Sequence, residues 1–230
     1  RLVGSEMCIR DRGTFGRQGI QILSNGRWLY STWLCEDSAD GLTNDPTEFQ
    51  VSDDAGKTWQ AVRMPDSNGR VHANVVEMEP GHLVAFMRSR FADFVYSSES
   101  FDFGDSWSVP EATVLPNNNA SVSAIKLATG EIALAYNVNS APHAAFGKVA
   151  WPGLRNPVAV SISEDFGKTW PIGRVFEAAE GYIGVENKTN NSQHEYPTLY
   201  QDSKGNLHLV YAYRNRLCVK YVCFTVADLS

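Results

Sequence analysis

The sequence predicts an all-β chain of radially repeated four-stranded units, a partial β-propeller of about four blades. Three observations carry this. One eight-residue box recurs, starting at Ser52, Ser100 and Ser163. The same order of short apolar runs surrounds every copy. No segment sustains helical periodicity, and the runs are β-branched and aromatic, as strands prefer.

The box reads S-x-D-x-G-x-T/S-W. Its residues are Ser52, Asp54, Gly56, Thr58 and Trp59, then Ser100, Asp102, Gly104, Ser106 and Trp107, then Ser163, Asp165, Gly167, Thr169 and Trp170. Ser and Asp oxygens cap backbone N–H groups in a tight turn. Gly supplies a backbone angle that other residues resist, and Trp packs on the next strand. The boxes are therefore read as structural turns with buried tryptophans. A calcium loop is the weaker reading, because no copy carries the run of carboxylates that the ion needs.

The elements follow in order. The first unit has predicted strands over 20–23, 28–33 and 48–52, with Gly26 turning between the first two. The second has 73–78, Gly81, 83–87 and 95–97; the third has 122–127, Gly130, 132–138 and 158–162. A fourth has 196–200, Gly205, 207–213 and 217–225, and no box follows it. Lacking its last strand, the chain is expected to be the C-terminal part of a ring, with exposed strand edges that favour association. Residues 1–12 fit neither period of secondary structure and resemble translated sequencing-adapter read-through. They are expected to be a non-native scar, with the propeller domain over 13–230. Any signal peptide then lies outside the sequence, which leaves the compartment open and a secreted or periplasmic one compatible.

Composition narrows the function. The 230 residues carry 26 acidic and 20 basic side chains, net charge −6, which argues against nucleic acid as the main partner. Hydrophobic content of 43% with 20% charged residues is globular, and no apolar run is long enough to span a membrane. Cys8, Cys35, Cys218 and Cys223 form neither a disulfide framework nor a metal cluster, and are expected to be buried or half-buried free thiols. No metal or cofactor is implied.

In an up-and-down blade the strand 1–2 and 3–4 turns share one face, so the Gly turns and boxes lie together. The opposite face collects polar residues: His72 and Asn74; Arg88 and Arg90; Asn117, Asn118 and Asn119; Arg155; Gln193, His194, Glu195 and Tyr196; Arg214 and Arg216. Singly, a strand-end Arg is ordinarily solvated and an Asn run is ordinarily a turn. Together, on one rim of an acidic chain, they describe a site. Paired guanidinium groups are the natural clamp for a carboxylate.

These features resemble the sialidase (neuraminidase) superfamily, in its Asp-box, BNR-repeat branch, over about residues 16–225. The more specific matches are Met87-Arg88-Ser89, Leu115-Pro-Asn-Asn-Asn119, Arg155-Asn-Pro157 and Glu195-Tyr196-Pro197. The resemblance implies a sialidase-type propeller, six-bladed when complete. It implies an exo-glycosidase that removes terminal sialic acid, or a related carboxylated sugar, from a glycan. Arg88 and Arg155 then match the family's second and third arginines, and Tyr196 its nucleophile; Asn118, Asn119 and Arg214 join the substrate-binding set. His72 stands where the family's Glu activates the Tyr, and is the candidate base. The family's first arginine and Asp acid/base have no match here and are expected before the sequence begins, so the isolated chain is expected to lack sialidase turnover. Alternation points Glu195 away from Tyr196 unless the strand bulges.

A carboxylate on the anomeric carbon repels an anionic nucleophile, which is why a Tyr hydroxyl suits such a sugar. Two other readings stay open. One is a catalytically inactive, glycan-binding propeller; the other is an enzyme of the same fold acting on uronic-acid polysaccharide through a His/Tyr pair.

Overall fold

A computed structural model gives the fold of residues 13–35, 45–141, 148–150, 155–177, 193–214 and 216–229. The chain is all-β, with strands in four antiparallel sheets and a single 3-10 turn, Val226–Leu229, among the described residues. The scar expected over residues 1–12, and Cys8 within it, lies outside the described residues.

The first blade contains β1 (Thr14–Gly16), β2 (Gln21–Ile22), β3 (Trp28–Leu34), β4 (Thr47–Ser52) and β5 (Gln60–Arg63). β1 and β2 both pair with β3, so its first strand is interrupted, where the sequence suggested one run over 20–23. The second blade runs β6 (Arg70–Glu79), β7 (His82–Ser89), β8 (Phe94–Ser100), β9 (Glu111–Pro116). The third runs β10 (Ser123–Lys126), β11 (Ile132–Asn137), β12 (Val158–Ser163), β13 (Ile172–Glu177). The fourth has β14 (Glu195–Gln201), β15 (Leu207–Tyr213) and β16 (Cys218–Phe224).

Strand alternation builds the core between blades rather than within one. On β7, Leu83, Ala85 and Met87 pack with Leu29, Phe49 and Val51 of the first blade. The intervening Val84 and Phe86 pack with Ile132 and Leu134 of the third. Each sheet is thus apolar on both faces where it has a neighbour on both sides. β15 shows the contrast: Leu207, Leu209, Tyr211 and Tyr213 are buried against the third blade, while His208, Val210 and Ala212 are only half-buried.

Every box occupies the turn between the third and fourth strands of its blade. In the first, Gly56 N donates to Ser52 Oγ at 2.9 Å, Thr58 N donates to Asp54 Oδ1 at 2.8 Å, and Trp59 Nε1 donates to Gly56 O at 3.1 Å. The third repeats this through Gly167 N to Ser163 Oγ at 2.8 Å, Thr169 N to Asp165 Oδ1 at 2.7 Å and Trp170 Nε1 to Gly167 O at 3.1 Å. These bonds hold the Asp54 and Asp165 carboxyls down at about 2. Gly104 and Gly167 have positive φ, and a Cβ there would collide with Leu29 or Phe86 of the preceding blade. Of the three box tryptophans Trp107 is buried, while Trp59 and Trp170 are half-buried.

On this face, the turn between each blade's first and second strands reaches the next blade. Arg27 grips Asp53 of its own box at 2.6 Å and Asp105 of the second box at 2.6 Å. His82 pairs with Glu99 at 2.7 Å and lies against Phe101 and, from the third box, Phe166. Ala128 N donates to Gln201 Oε1 of the fourth blade at 2.8 Å. Asp53 and Asp105 are solvated, so Arg27→Ala is expected to cost about 1 kcal/mol, measured by urea unfolding, with the loss shrinking at high salt.

The cysteine expectation needs correction: Cys35 is half-buried, but Cys218 and Cys223 are exposed. Both lie on β16, whose outer edge pairs with no further strand among the described residues.

Candidate functional site

Register places the box face and the site at opposite strand ends. On β7 and β8, Leu83 pairs with box residue Ser100, whereas Met87 pairs with Tyr96, so Arg88 lies at the far end of β7 from the box. The first strands carry the rest, and β10 lies beside both β6 and β14. His72 and Tyr196 use the same device. The pairing register slips between Val71 and Asn74 on β6, and between Glu195 and Thr198 on β14. Within those bulges His72 has φ 57° and Tyr196 φ 55°. Positive φ is costly for side chains of this size, and a bulge turns one residue out of the alternating pattern.

The result is a cavity of about 380 Å³ lined by Phe15, Trp33, Cys35, His72, Arg88, Arg90, Arg155 and Tyr196. Arg88 and Arg155, from the second and third blades, and Tyr196, from the fourth, therefore meet in one space. Tyr196 is 38% exposed, on the cavity side. Arg17, in the break between β1 and β2, reaches it from the first blade, its guanidinium carbon 4.9 Å from the phenol ring centre. Arg216 lies 5.8 Å from the same ring centre.

Two buried carboxylates hold two of the arginines. Arg90 Nη2 donates to Asp45 Oδ2 at 2.8 Å. Arg155 Nη1 donates to Glu195 Oε2 at 2.6 Å, and Arg216 grips the same carboxylate through Nε at 3.1 Å and Nη2 at 2.9 Å. Burial, with Arg90 and Arg155 close by, pushes the Arg88 guanidinium down to about 9, still protonated at neutral pH.

His72 is packed between Trp33, at 4.1 Å between ring centres, and Ser121, whose Oγ is 2.7 Å from Nδ1. Burial, and then the charges of Arg88, Arg17, Arg90 and Arg155, lower its pKa to about 2. The imidazole is neutral at any physiological pH. Trp33 also stacks on Phe15 at 5.7 Å, so Phe15, Trp33 and His72 form a continuous aromatic wall.

Three residues of the expected substrate-binding set lie elsewhere. Asn118 and Asn119 are wholly buried and absent from the lining; Asn119 Nδ2 donates to Ala150 O at 2.9 Å. Neighbouring Asn117 folds that loop by accepting from Ser89 N and Asn119 N. Arg214 is exposed on the turn after β15 and does not line the cavity; Arg216 takes the place near Tyr196. The strand does bulge after Glu195, and the structure gives that carboxylate the work of holding Arg155 and Arg216. Sequence reasoning missed Arg17, Asp45, Trp33 and Phe15. Their only sequence signal was position near strand ends of the same face.

What the arrangement can do is bind an anion: guanidinium groups from several blades converge on one cavity, with no carboxylic acid in its lining among the described residues. Among the described residues, no group of His, Cys, Asp and Glu could hold a metal ion, and no helix is long and apolar enough to cross a membrane.

Residues 11–209 match the BNR repeat-like domain family. No curated protein sequence matches the chain. Among solved structures, the chain is similar to the NanB sialidase from Streptococcus pneumoniae, with 17% identity, TM-score 0.68, and coverage of 92% of this chain and 31% of that one. The Hadza microbial sialidase Hz136 gives 17% identity, TM-score 0.69 and coverage of 92% and 37%. The intramolecular trans-sialidase from Ruminococcus gnavus gives 20%, 0.64, and 91% and 43%. The chain thus spans about a third to two fifths of the length of these proteins, and at such identities the likeness is one of fold.

Proposed function

The chain belongs to the BNR repeat-like domain family, and from that premise we propose that its cavity binds the carboxylate of an acidic sugar. In the proposed reading the whole protein is a sialidase-like exo-glycosidase that hydrolyses terminal sialic acid, or a related carboxylated sugar, from a glycan. The observation that carries it is the meeting of Tyr196 with Arg88, Arg90 and Arg155 in one cavity. Arg88 and Arg155 take the sugar carboxylate, and Arg17 supplies a third guanidinium from the first blade. Tyr196 Oη attacks the anomeric carbon as the glycosidic bond breaks, and water then releases the sugar from the tyrosine. His72 accepts the phenol proton. The leaving-group oxygen takes its proton from an acid outside the lining described above.

Sugar binding changes the electrostatics of that proton transfer. A bound carboxylate offsets the guanidinium charges that depress His72, and leaves in place the larger cause, burial. That balance favours a second reading, a glycan-binding propeller without turnover. It equally suits an enzyme for uronic-acid polysaccharide, in which a neutral imidazole serves as hydrogen-bond partner.

One set of variants separates these. In the whole protein, Tyr196→Phe is expected to cut turnover of a fluorogenic sialoside by roughly 10³-fold or more while product affinity stays nearly unchanged. Arg88→Ala and Arg155→Ala are expected to weaken acidic-sugar binding by about 10- to 100-fold each, read by calorimetry. Undiminished turnover in Tyr196→Phe removes the nucleophile assignment. Sugar binding without any turnover leaves the glycan-binding reading.

A further inference from the structure

Asn137 ends β11 and is the one amide side chain of a strand otherwise made of Ile132, Ala133, Leu134, Ala135 and Tyr136. It is 1% exposed and does not line the cavity. Its Nδ2 donates to His194 O at 2.9 Å and to Arg155 O at 3.0 Å, with Pro157 O sharing at 3.4 Å. One amide thus ties together two segments from different blades. The first carries Arg155. The second carries, one and two residues further on, Glu195 and Tyr196.

Those segments also touch directly. His194 N donates to Arg155 O at 2.8 Å, and Arg155 forms an isolated bridge with Gln193. The Arg155 guanidinium then returns to Glu195 at 2.6 Å. A closed circuit results, running from Asn137 to the Arg155 backbone, out along its side chain to Glu195, and back through the His194 carbonyl to Asn137. An amide has two N–H donors, enough for the two short bonds; an apolar residue here would leave buried carbonyls without that partner.

We propose that Asn137 is a positioning residue, fixing the Arg155 guanidinium relative to the Tyr196 phenol by anchoring both chain segments to the end of β11. The proposal rests on the reading that Arg155 and Tyr196 act on one ligand. Displacement of a binding group by an ångström is enough to lose much of its effect. Asn137 therefore acts through Arg155, without touching the sugar.

The test is a mutant cycle in the full chain, with free N-acetylneuraminic acid as the probe in calorimetry. Asn137→Ala is expected to weaken binding about 10-fold in the native background and not at all in the Arg155→Ala background. Its loss of melting temperature is expected to be similar in both. Equal affinity losses in the two backgrounds would make Asn137 merely structural and overturn the proposal. A crystal structure of the Asn137→Ala chain gives a readout that needs no ligand: a guanidinium moved off Glu195 supports the assignment, and an unmoved one overturns it. Asn137→Ser keeps a single donor and is expected to fall between the two. It serves both readouts should Asn137→Ala fail to fold. If the unmutated chain does not bind the probe, the acidic-sugar reading falls, and the position of Arg155 in the variant crystal still decides the role of Asn137.

Discussion

Lowering the pH from 6.5 to 4.5 is expected to cost the fold about 4 kcal/mol, roughly half from each of two imidazoles. His72 is held down at about 2, mainly by burial and then by the surrounding guanidinium groups. His194 is 0% exposed, and burial lowers it to about 4. It stacks on Tyr213 at 5.2 Å, and neither ring nitrogen has a hydrogen-bond partner among the described residues. An unfolded histidine titrates at about 6.5. Below that pH the unfolded chain takes up protons that the folded chain cannot, so stability falls as pH falls. The box carboxylates act in another window. Asp54 and Asp165, both held at about 2, contribute above the ordinary carboxylate range and lose that contribution only as pH drops through and below it. Urea midpoints taken at steps between pH 6.5 and 4.5 check the imidazole window. A His72→Asn, His194→Phe double variant should flatten the curve, and an unaltered slope would remove these residues as its cause.

The second large effect is at Glu195. Its carboxylate is 0% exposed and lies between Arg155, 7% exposed, and solvated Arg216. Glu195→Ala leaves the Arg155 charge buried with its anion gone, expected to cost about 3–5 kcal/mol. Arg216 can return to water, so the penalty falls on Arg155. Replacing both members by apolar residues of similar size, as in Glu195→Leu with Arg155→Met, is expected to recover most of that loss in thermal unfolding, since no buried charge remains. A double variant as unstable as Glu195→Ala would show that shape at this position, rather than charge, governs stability.

Legibility followed distance along the chain. The box residues are legible because Ser, Asp, Gly and Trp bond to one another within a few positions. Strand runs and their order followed from local apolar patterning, and these together fixed which rim carries Arg88, Arg155 and Tyr196. What failed depended on contacts across blades. Arg17 sits in a break of the first strand, and only the ring geometry brings it over Tyr196. Asn118 and Asn119 share the right rim but face inward, because Asn117 bends their loop back on itself. Strict alternation turns Glu195 from Tyr196, but β14 bulges there, and no local rule could say that Arg155 comes within reach of that carboxylate. Trp59 and Trp170 were expected to be as buried as Trp107, yet whether a flank is covered depends on the neighbouring sheets.

The turn-to-turn grips of Arg27, His82 and Ala128 make the molecule a chain of nearest-neighbour couplings, each spanning a single joint between sheets. Cooperativity in such a chain is local. Opening one joint leaves the others bonded, so slow amide exchange should be greatest in β7 and β11, with partners on both flanks, and least in β1 and β16. These three couplings lie on the box rim, while the other rim carries its own joints, Arg90 to Asp45 between the first two blades and Arg155 to Glu195 between the last two. Site-rim loops outside those two ion pairs can change sequence while the box-rim joints stay unaltered, so one scaffold can present new binding chemistry.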